Sequence, residues 1–405
     1  MIRCHLIPSL LILVACGSAA SAADAPVAAT AAATTPPTAA KPAAPIPPTK
    51  AEVEALLAKA QDWLVAQQQP TGSFLAPDAR LALGITALAT DVLLAKPGLA
   101  ANDAHIASAV GFIKSHKQAD GGIYLEPEGL FAYGTAVSLS TLIAAGAADP
   151  ETIAGAQKFL FSVQVRDKES PGFGGIGYGT PKSAGRADLS NTDLAIAALR
   201  DSGVPATDPR MQDLLTFLEH CQHLSSHNQL PWVDMSPEQA GGAIYNPDTR
   251  RPVSANAPAA PGPAPKPTAY ASMTYALVSS YRELDVPAED ERITAAVTWL
   301  KAHYTPFSNA GRAPGKEIDG LYYNYWLASQ TLAKLGTMSF PSPDGRKVID
   351  WRTDLIAALT FRLRPAEGGK PGAYWINESK TWAESNPVLV TTYVVGTLKN
   401  ILGTL

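Results

Sequence analysis

The 405-residue chain has little cysteine, few aromatics, few charges and no long apolar run. Of its three cysteines, Cys4 and Cys16 fall in the first sixteen residues. Cys221 then stands alone, which excludes an intramolecular disulfide framework in the rest of the chain. Charged residues make up 17% and the formal charge of −4 is spread without blocks or a basic stripe, so nucleic acid is excluded as an expected partner. Aromatics are 7% of the chain, so most of the 46% hydrophobic content must pack as Ala, Leu and Val. The N-terminal apolar run, Leu6 to Ala15, is half the roughly 20 residues a membrane-spanning helix needs.

That short run follows Arg3 and precedes small residues, the pattern of an export signal. Two cleavage sites compete. Leu13-Val14-Ala15-Cys16-Gly17 resembles a bacterial lipobox, which would end the signal at residue 15 and leave Cys16 as a lipid anchor. Ala20-Ser21-Ala22 is an A-x-A-like site, which would end it at residue 22 and free the chain. Either reading predicts a periplasmic or cell-surface protein that meets a membrane only through that anchor. Residues 23–48 are almost entirely Ala, Pro and Thr, too poor in large side chains to offset the entropy of ordering, and are expected to be a disordered tether. A second Pro/Ala-rich stretch, 247–267, reads as an inserted surface loop, because its prolines forbid a helix.

What the chain has instead is a repeat. Six apolar helical segments each carry an aromatic, Trp63, Phe112, Phe159, Phe217, Trp299 and Phe361, spaced 49, 47, 58, 82 and 62 residues apart. The spacing of 82 contains the 247–267 insertion. After each segment comes a Gly-containing turn with an aromatic just beyond: Phe74, Tyr124, Tyr178, Tyr245, Tyr322 and Tyr374. Gln118 and Gln239 stand ahead of two of these turns. A second helix is expected after each turn, at 81–95, 132–145, 193–200, 270–282, 323–335 and 387–402. These helices are rich in Ala and Leu nearly all round, as buried helices are, while the first helices are more amphipathic. A period near 50 residues marks units that need their neighbours, and six helix pairs bury both ends by closing a ring. The fold expected over residues 49–405 is therefore all-α, an (α/α)6 toroid of six outer and six inner helices.

The Gln-x-x-Gly-x-aromatic turns after a helix resemble the QW-type repeats of the prenyltransferase and squalene-cyclase (terpenoid cyclase) superfamily. The resemblance covers roughly residues 50–405 and implies a toroid with a central apolar cavity. It does not extend to that superfamily's chemistry. The Asp-x-Asp-Asp acid of squalene-hopene cyclases, the Asp-x-Cys of zinc-dependent prenyltransferase β subunits and the Cys-Gly-Glu-Gln of thioester toroids are all absent.

Other patterns reduce to structure. Gly172 to Gly177 matches G-x-G-x-x-G but lacks the preceding strand of a dinucleotide site and reads as a repeat turn. His220, His223 and His227 fall within roughly 60° on a helix and opposite Leu214, Phe217, Leu218 and Cys221, so they are expected on a solvent face, with no metal. Asp188 and Asp193 lie about 140° apart on a helix, and Ser190-Asn191-Thr192-Asp193 fits a capping box. Glu317 to Gly320 reads as one more turn.

The residues at the starts of the inner helices, Tyr133, Asn191, Asp193, Tyr270, Tyr323, Asn324 and Trp326, are the cavity candidates. No Lys or Arg occurs in 270–281 or 323–333, so a diphosphate would lack counter-charge there. The expected ligand is an uncharged small molecule or glycan, or else a protein partner, and no cofactor is implied. The functional expectation is a non-catalytic binding or scaffold protein of the cell envelope. The alternative is a secreted transferase, lyase or hydrolase using other residues of the same cavity.

Overall fold

The structure, a computed structural model, describes residues 45–405 except 77–78, 80, 95, 97–98, 100–102, 127–128, 181–185, 249–265 and 370. The export signal, Cys16, nearly all of the 23–48 tether and most of the 247–267 insertion lie outside the described residues. Among those residues there are twelve α-helices. Six form the inner ring: α2 (Ala82–Leu93), α4 (Phe131–Ala144), α6 (Leu189–Asp201), α8 (Ala271–Glu283), α10 (Leu321–Lys334) and α12 (Pro387–Leu402). Each packs on the next, and α12 packs back on α2, so the ring closes. The outer helices are α1 (Lys50–Val65), α3 (Ala104–Lys114), α5 (Pro150–Ser162), α7 (Pro209–His220), α9 (Glu291–Ala302) and α11 (Trp351–Arg362). Among the described residues, named strands are confined to two short antiparallel hairpins, Ser339–Pro341 with Val348–Asp350 and Arg364–Pro365 with Ala373–Tyr374. No described helix is long and apolar enough to cross a membrane.

The inner helices are buried nearly all round, as their composition demands: every residue from Ala271 to Tyr281 of α8 is buried. The outer helices bury one stripe and begin at side-chain caps. Thr49 and Glu52 close a capping box on α1, and an Asp caps each of the other five, at Asp103, Asp149, Asp208, Asp290 and Asp350. In three of them the Asp also holds the Arg two residues on through both carboxylate oxygens, as Asp208 does Arg210, Asp290 does Arg292 and Asp350 does Arg352.

Two hydrogen-bonding devices recur, one between repeats and one within them. The first is a glutamine that bridges to the next unit. The side-chain amide of Gln68 donates to the carbonyl of its own turn glycine, Gly72, and to that of His105 in α3. Gln164 does the same to Gly174 and Arg210, and Gln222 to Gly241 and Arg292, at 2.8–3.0 Å throughout. These, rather than Gln118 and Gln239, are the residues that cross between repeats. Gln118 bonds only within its own turn. The second device is a threonine in the first or second turn of an inner helix. Its hydroxyl takes the amide of a turn residue: Thr86 from Phe74, Thr135 from Ile123, Thr192 from Ile176, Thr274 from Ala243 and Thr391 from Trp375. The turn glycines have a steric reason. Gly241 sits at φ +89°, and a Cβ there would come within 2.3 Å of the Ala295 carbonyl in α9.

Some local expectations are corrected. Phe361 is 86% exposed, and the sixth unit buries Trp351 and Trp375 in its place, because the buried stripe of α11 runs through Trp351, Leu355 and Leu359. The three histidines share no solvent face. Helix α7 ends at His220, and the chain then turns inward, so His223 is fully buried against the Trp232 ring. Burial pushes the His223 imidazole down to about 4, and its Nδ1 accepts the Asp234 amide at 3.0 Å. Helix α6 starts at Leu189 rather than Asp193, because Asp188 is the cap: it accepts the Asn191 amide at 2.9 Å and the Asn191 side-chain amide at 2.7 Å.

Candidate functional site

The inner helices enclose a chamber of about 990 Å³ near their N-terminal ends. Its walls alternate aliphatic and aromatic. Ile85 and Leu88 come from α2, Tyr133 from α4, Leu194 from α6, Met273 from α8, Tyr323 and Trp326 from α10, and Leu389 and Tyr393 from α12. The ring makes room for its aromatics by deleting side chains opposite them. A Cβ on Gly84 would meet the Tyr133 ring at 2.3 Å, and one on Gly396 would meet the Trp326 indole at 2.7 Å. Trp326 stacks on Tyr393 with ring centres 5.4 Å apart, and Tyr323 lies 5.6 Å from Tyr393. Three aromatics thus form one rigid wall, an arrangement that stabilises by roughly 0.5–1.5 kcal/mol per pair beyond burial.

Of the seven residues expected in the cavity, Tyr133, Tyr270, Tyr323 and Trp326 line it. Asn191, Asp193 and Asn324 are buried but do not. Asn191 is used in the α6 cap. Asp193 faces α8, where it accepts the Ser280 hydroxyl at 2.7 Å, and burial pushes its carboxyl up to about 7. Asn324 turns to a small pocket against α8 and α9. One residue of offset on a helix rotates a side chain by about 100°, enough to move it from the chamber wall into a helix interface.

The ionisable side chains at the chamber, apart from tyrosines, come from a loop. The α11–α12 segment brings Lys380, Trp382, Ala383 and Glu384 to its wall. Trp382 and Ala383 both adopt left-handed backbone, φ +52° and +62°. Such a conformation costs an L-residue roughly 1–2 kcal/mol, so two in a row mark a segment held in place by its surroundings. What holds it is Glu384. Helix α10 begins at Gly320 with no side-chain cap of its own. The Glu384 carboxylate supplies one from outside, accepting the amides of Tyr323 at 2.8 Å and Tyr322 at 3.4 Å, and the Asn377 side chain at 2.5 Å. Helix α8 is served in the same way by Asn309 of the α9–α10 loop. Its Oδ1 accepts the Ser272 amide at 3.0 Å, and its Nδ2 donates to the Ser272 hydroxyl, also at 3.0 Å. Burial pushes the Glu384 carboxyl up to about 7, against the lowering effect of those amide donors. The Tyr323 hydroxyl is buried beside the Ser190 side chain.

Two turn aromatics turn out to belong to the chamber as well. Tyr178 and Tyr245 line it, whereas Tyr124 packs between Phe131 and Phe159 and Tyr374 stacks on Trp63. Tyr245 also reaches the buried Asp188, whose carboxyl burial pushes up to about 6. No group of three His, Cys, Asp or Glu side chains with metal-holding geometry occurs among the described residues.

No protein-family model matches the chain, and no curated protein matches it in sequence. Solved structures do match. A product-bound variant of the type II terpene cyclase MstE from Scytonema is 16% identical with a TM-score of 0.53, over 88% of this chain and 99% of that one. The apo form of MstE gives 16% identity and a TM-score of 0.52, over 88% and 100%. A protein from Actinoplanes gives 14% and 0.52, over 86% and 99%. At such identities the likeness is one of fold, and in fold this chain is a terpenoid-cyclase-like toroid.

Proposed function

We propose that the chain is a binding protein whose chamber holds a molecule with an apolar body, without the isoprenoid chemistry of the cyclases it resembles in fold. One observation carries the reading: a space of about 990 Å³ whose wall is aliphatic and aromatic, with Lys380 and Glu384 as its ionisable side chains, apart from tyrosines, among the described residues. Ligand sites of this size are lined mainly by apolar and aromatic groups, with a few polar atoms fixing orientation. The Tyr323 hydroxyl and the Ser190 and Ser272 side chains are such atoms here. MstE is recorded with geranylgeranyl dihydroxybenzoate as substrate, an apolar chain on a polar ring, which shows what this fold can enclose.

An enzyme reading would rest on Glu384, the one carboxyl at the chamber among the described residues. A carboxyl lifted to about 7 is too weak an acid to protonate an alkene, although it could exchange protons in a milder acid–base reaction. Glu384 suits hydrogen bonding and capping better. The test uses an apolar fluorescent probe on the purified chain. Saturable binding should be weakened about tenfold or more by Trp326→Ala, which removes the centre of the aromatic wall. Squalene and prenyl diphosphates should not turn over, with or without Mg²⁺ or Zn²⁺. Turnover abolished by Glu384→Gln would instead establish the enzyme.

A further inference from the structure

Beside the chamber wall lies a cation whose hydrogen-bonding capacity the fold leaves unused. Arg312, in the α9–α10 loop, has its guanidinium carbon 4.7 Å from the Tyr270 ring centre and 4.9 Å from that of Trp382, and both rings line the chamber. A guanidinium offers five N–H donors in one plane. Among the described residues none of those of Arg312 reaches an acceptor. Its Nε is buried without a partner, and its ion pair with Asp319, Nη2 to Oδ2 at 3.8 Å, is too long to be a hydrogen bond. Asp319 is fixed at that distance through its other oxygen, Oδ1, which accepts the Ser379 hydroxyl at 2.5 Å. The contrast with Arg210, Arg292 and Arg352, each gripped by both oxygens of a capping Asp, shows what a structural arginine of this chain looks like.

A second cation lies at the chamber. Lys380 lines the chamber, is exposed, and forms no ion pair among the described residues. The nearby carboxyl of Glu384 does not compete for either, since its oxygens are taken by the Tyr322 and Tyr323 amides and Asn377. The absence of Lys and Arg from α8 and most of α10 therefore does not leave the site without counter-charge, because loops deliver it.

We propose that Arg312 and Lys380 receive the anionic head, a carboxylate or phosphate monoester, of an amphipathic ligand whose apolar body fills the chamber. The proposal rests on the chamber being a binding site for an apolar body. The Tyr270 and Trp382 rings pack against the Arg312 guanidinium and leave N–H donors for an oxyanion in the paired geometry that arginine favours. Lys380, exposed at the chamber, adds a point charge.

The test measures binding of palmitate, hexadecyl phosphate and hexadecanol to the full chain by quenching of tryptophan fluorescence, since Trp326 and Trp382 both line the chamber. Both anions should bind at least about tenfold tighter than the alcohol, and the tighter of the two identifies the head. Arg312→Gln and Lys380→Gln should each weaken the anions by a larger factor than the alcohol, bringing the anions toward it. Added salt should weaken only the anions. If Arg312→Gln does not fold, Lys380→Gln and the salt series still decide. Equal affinities for all three ligands in the native chain would overturn the head site and leave the chamber standing. An anion preference that survives both substitutions would remove these two residues from it. Failure of all three to bind would remove the chamber reading itself.

Discussion

At the residue scale, Glu384 links stability to pH. Its carboxyl ionises near 7 in the folded chain and near the ordinary 4.5 when unfolded. Between those values the folded chain keeps a proton that the unfolded chain releases. Stability contributed by the protonated form is therefore present in acid and is lost as the pH rises through about 7. Asp193, near 7, and Asp188, near 6, act in the same direction. A tenfold difference in proton affinity between the folded and unfolded chain corresponds to about 1.4 kcal/mol, so Glu384 alone accounts for a fall on the order of 3 kcal/mol between pH 5 and pH 8. Urea unfolding at the two pH values should show the native chain losing stability on the alkaline side, and Glu384→Gln losing distinctly less. Identical pH profiles would mean that this carboxyl is solvated rather than buried at the start of α10.

At the scale of elements, the recurring Gln and Gly contacts explain why helix pairs with little sequence likeness to one another stack in register. The glycine is the more demanding partner. Gly146 also sits at positive φ, +62°, but a Cβ there would meet nothing within 4 Å. Gly146→Ala should therefore cost only the backbone strain, about 1 kcal/mol. Gly241→Ala adds a collision with the Ala295 carbonyl that can be relieved only by moving α9 away, and should cost several times as much. Chemical denaturation of the two variants compares them directly, and equal losses would show that the turns do not fix the spacing of the outer helices. The fifth unit departs from the pattern. Gly320 abuts the Trp382 ring rather than an outer helix, and its loop carries Asn309 and Arg312 toward the chamber. The repeat is irregular where the candidate site is built.

At the scale of the whole molecule, closure decides the stability. Helix α12 packs on α10, on α1 and on α2, and a Cβ on Gly372 would meet the Lys59 carbonyl of α1, the same seam that joins the other units. An open array of repeats can lose its last unit and keep the rest, because each unit contacts only its neighbours. A closed ring cannot, since removing α12 uncovers apolar faces on three helices. Truncation after Asn386 should abolish cooperative thermal unfolding altogether. A truncated chain that still melts in one sharp transition at a modestly lower temperature would mean that the ring behaves as an open solenoid.

The sequence by itself determined the helix pairs, their number and their closure, because periodicity, turn chemistry and the all-round apolarity of alternate helices are local properties. It also located Tyr133, Tyr270, Tyr323 and Trp326, which follow from the starts of the inner helices. A signal for the bridging glutamines was present too: Gln68, Gln164 and Gln222 each stand five residues after the repeat aromatic. Only the tertiary structure decided that Asn191, Asp193 and Asn324 face helix interfaces, because the rotation of each helix about its axis is set by packing against neighbours distant in the chain. It alone brought Glu384 onto the start of α10, and Arg312 and Lys380 to the chamber rim. These residues lie in loops, where no period predicts direction, and their partners are some 60 residues or more away or in another repeat.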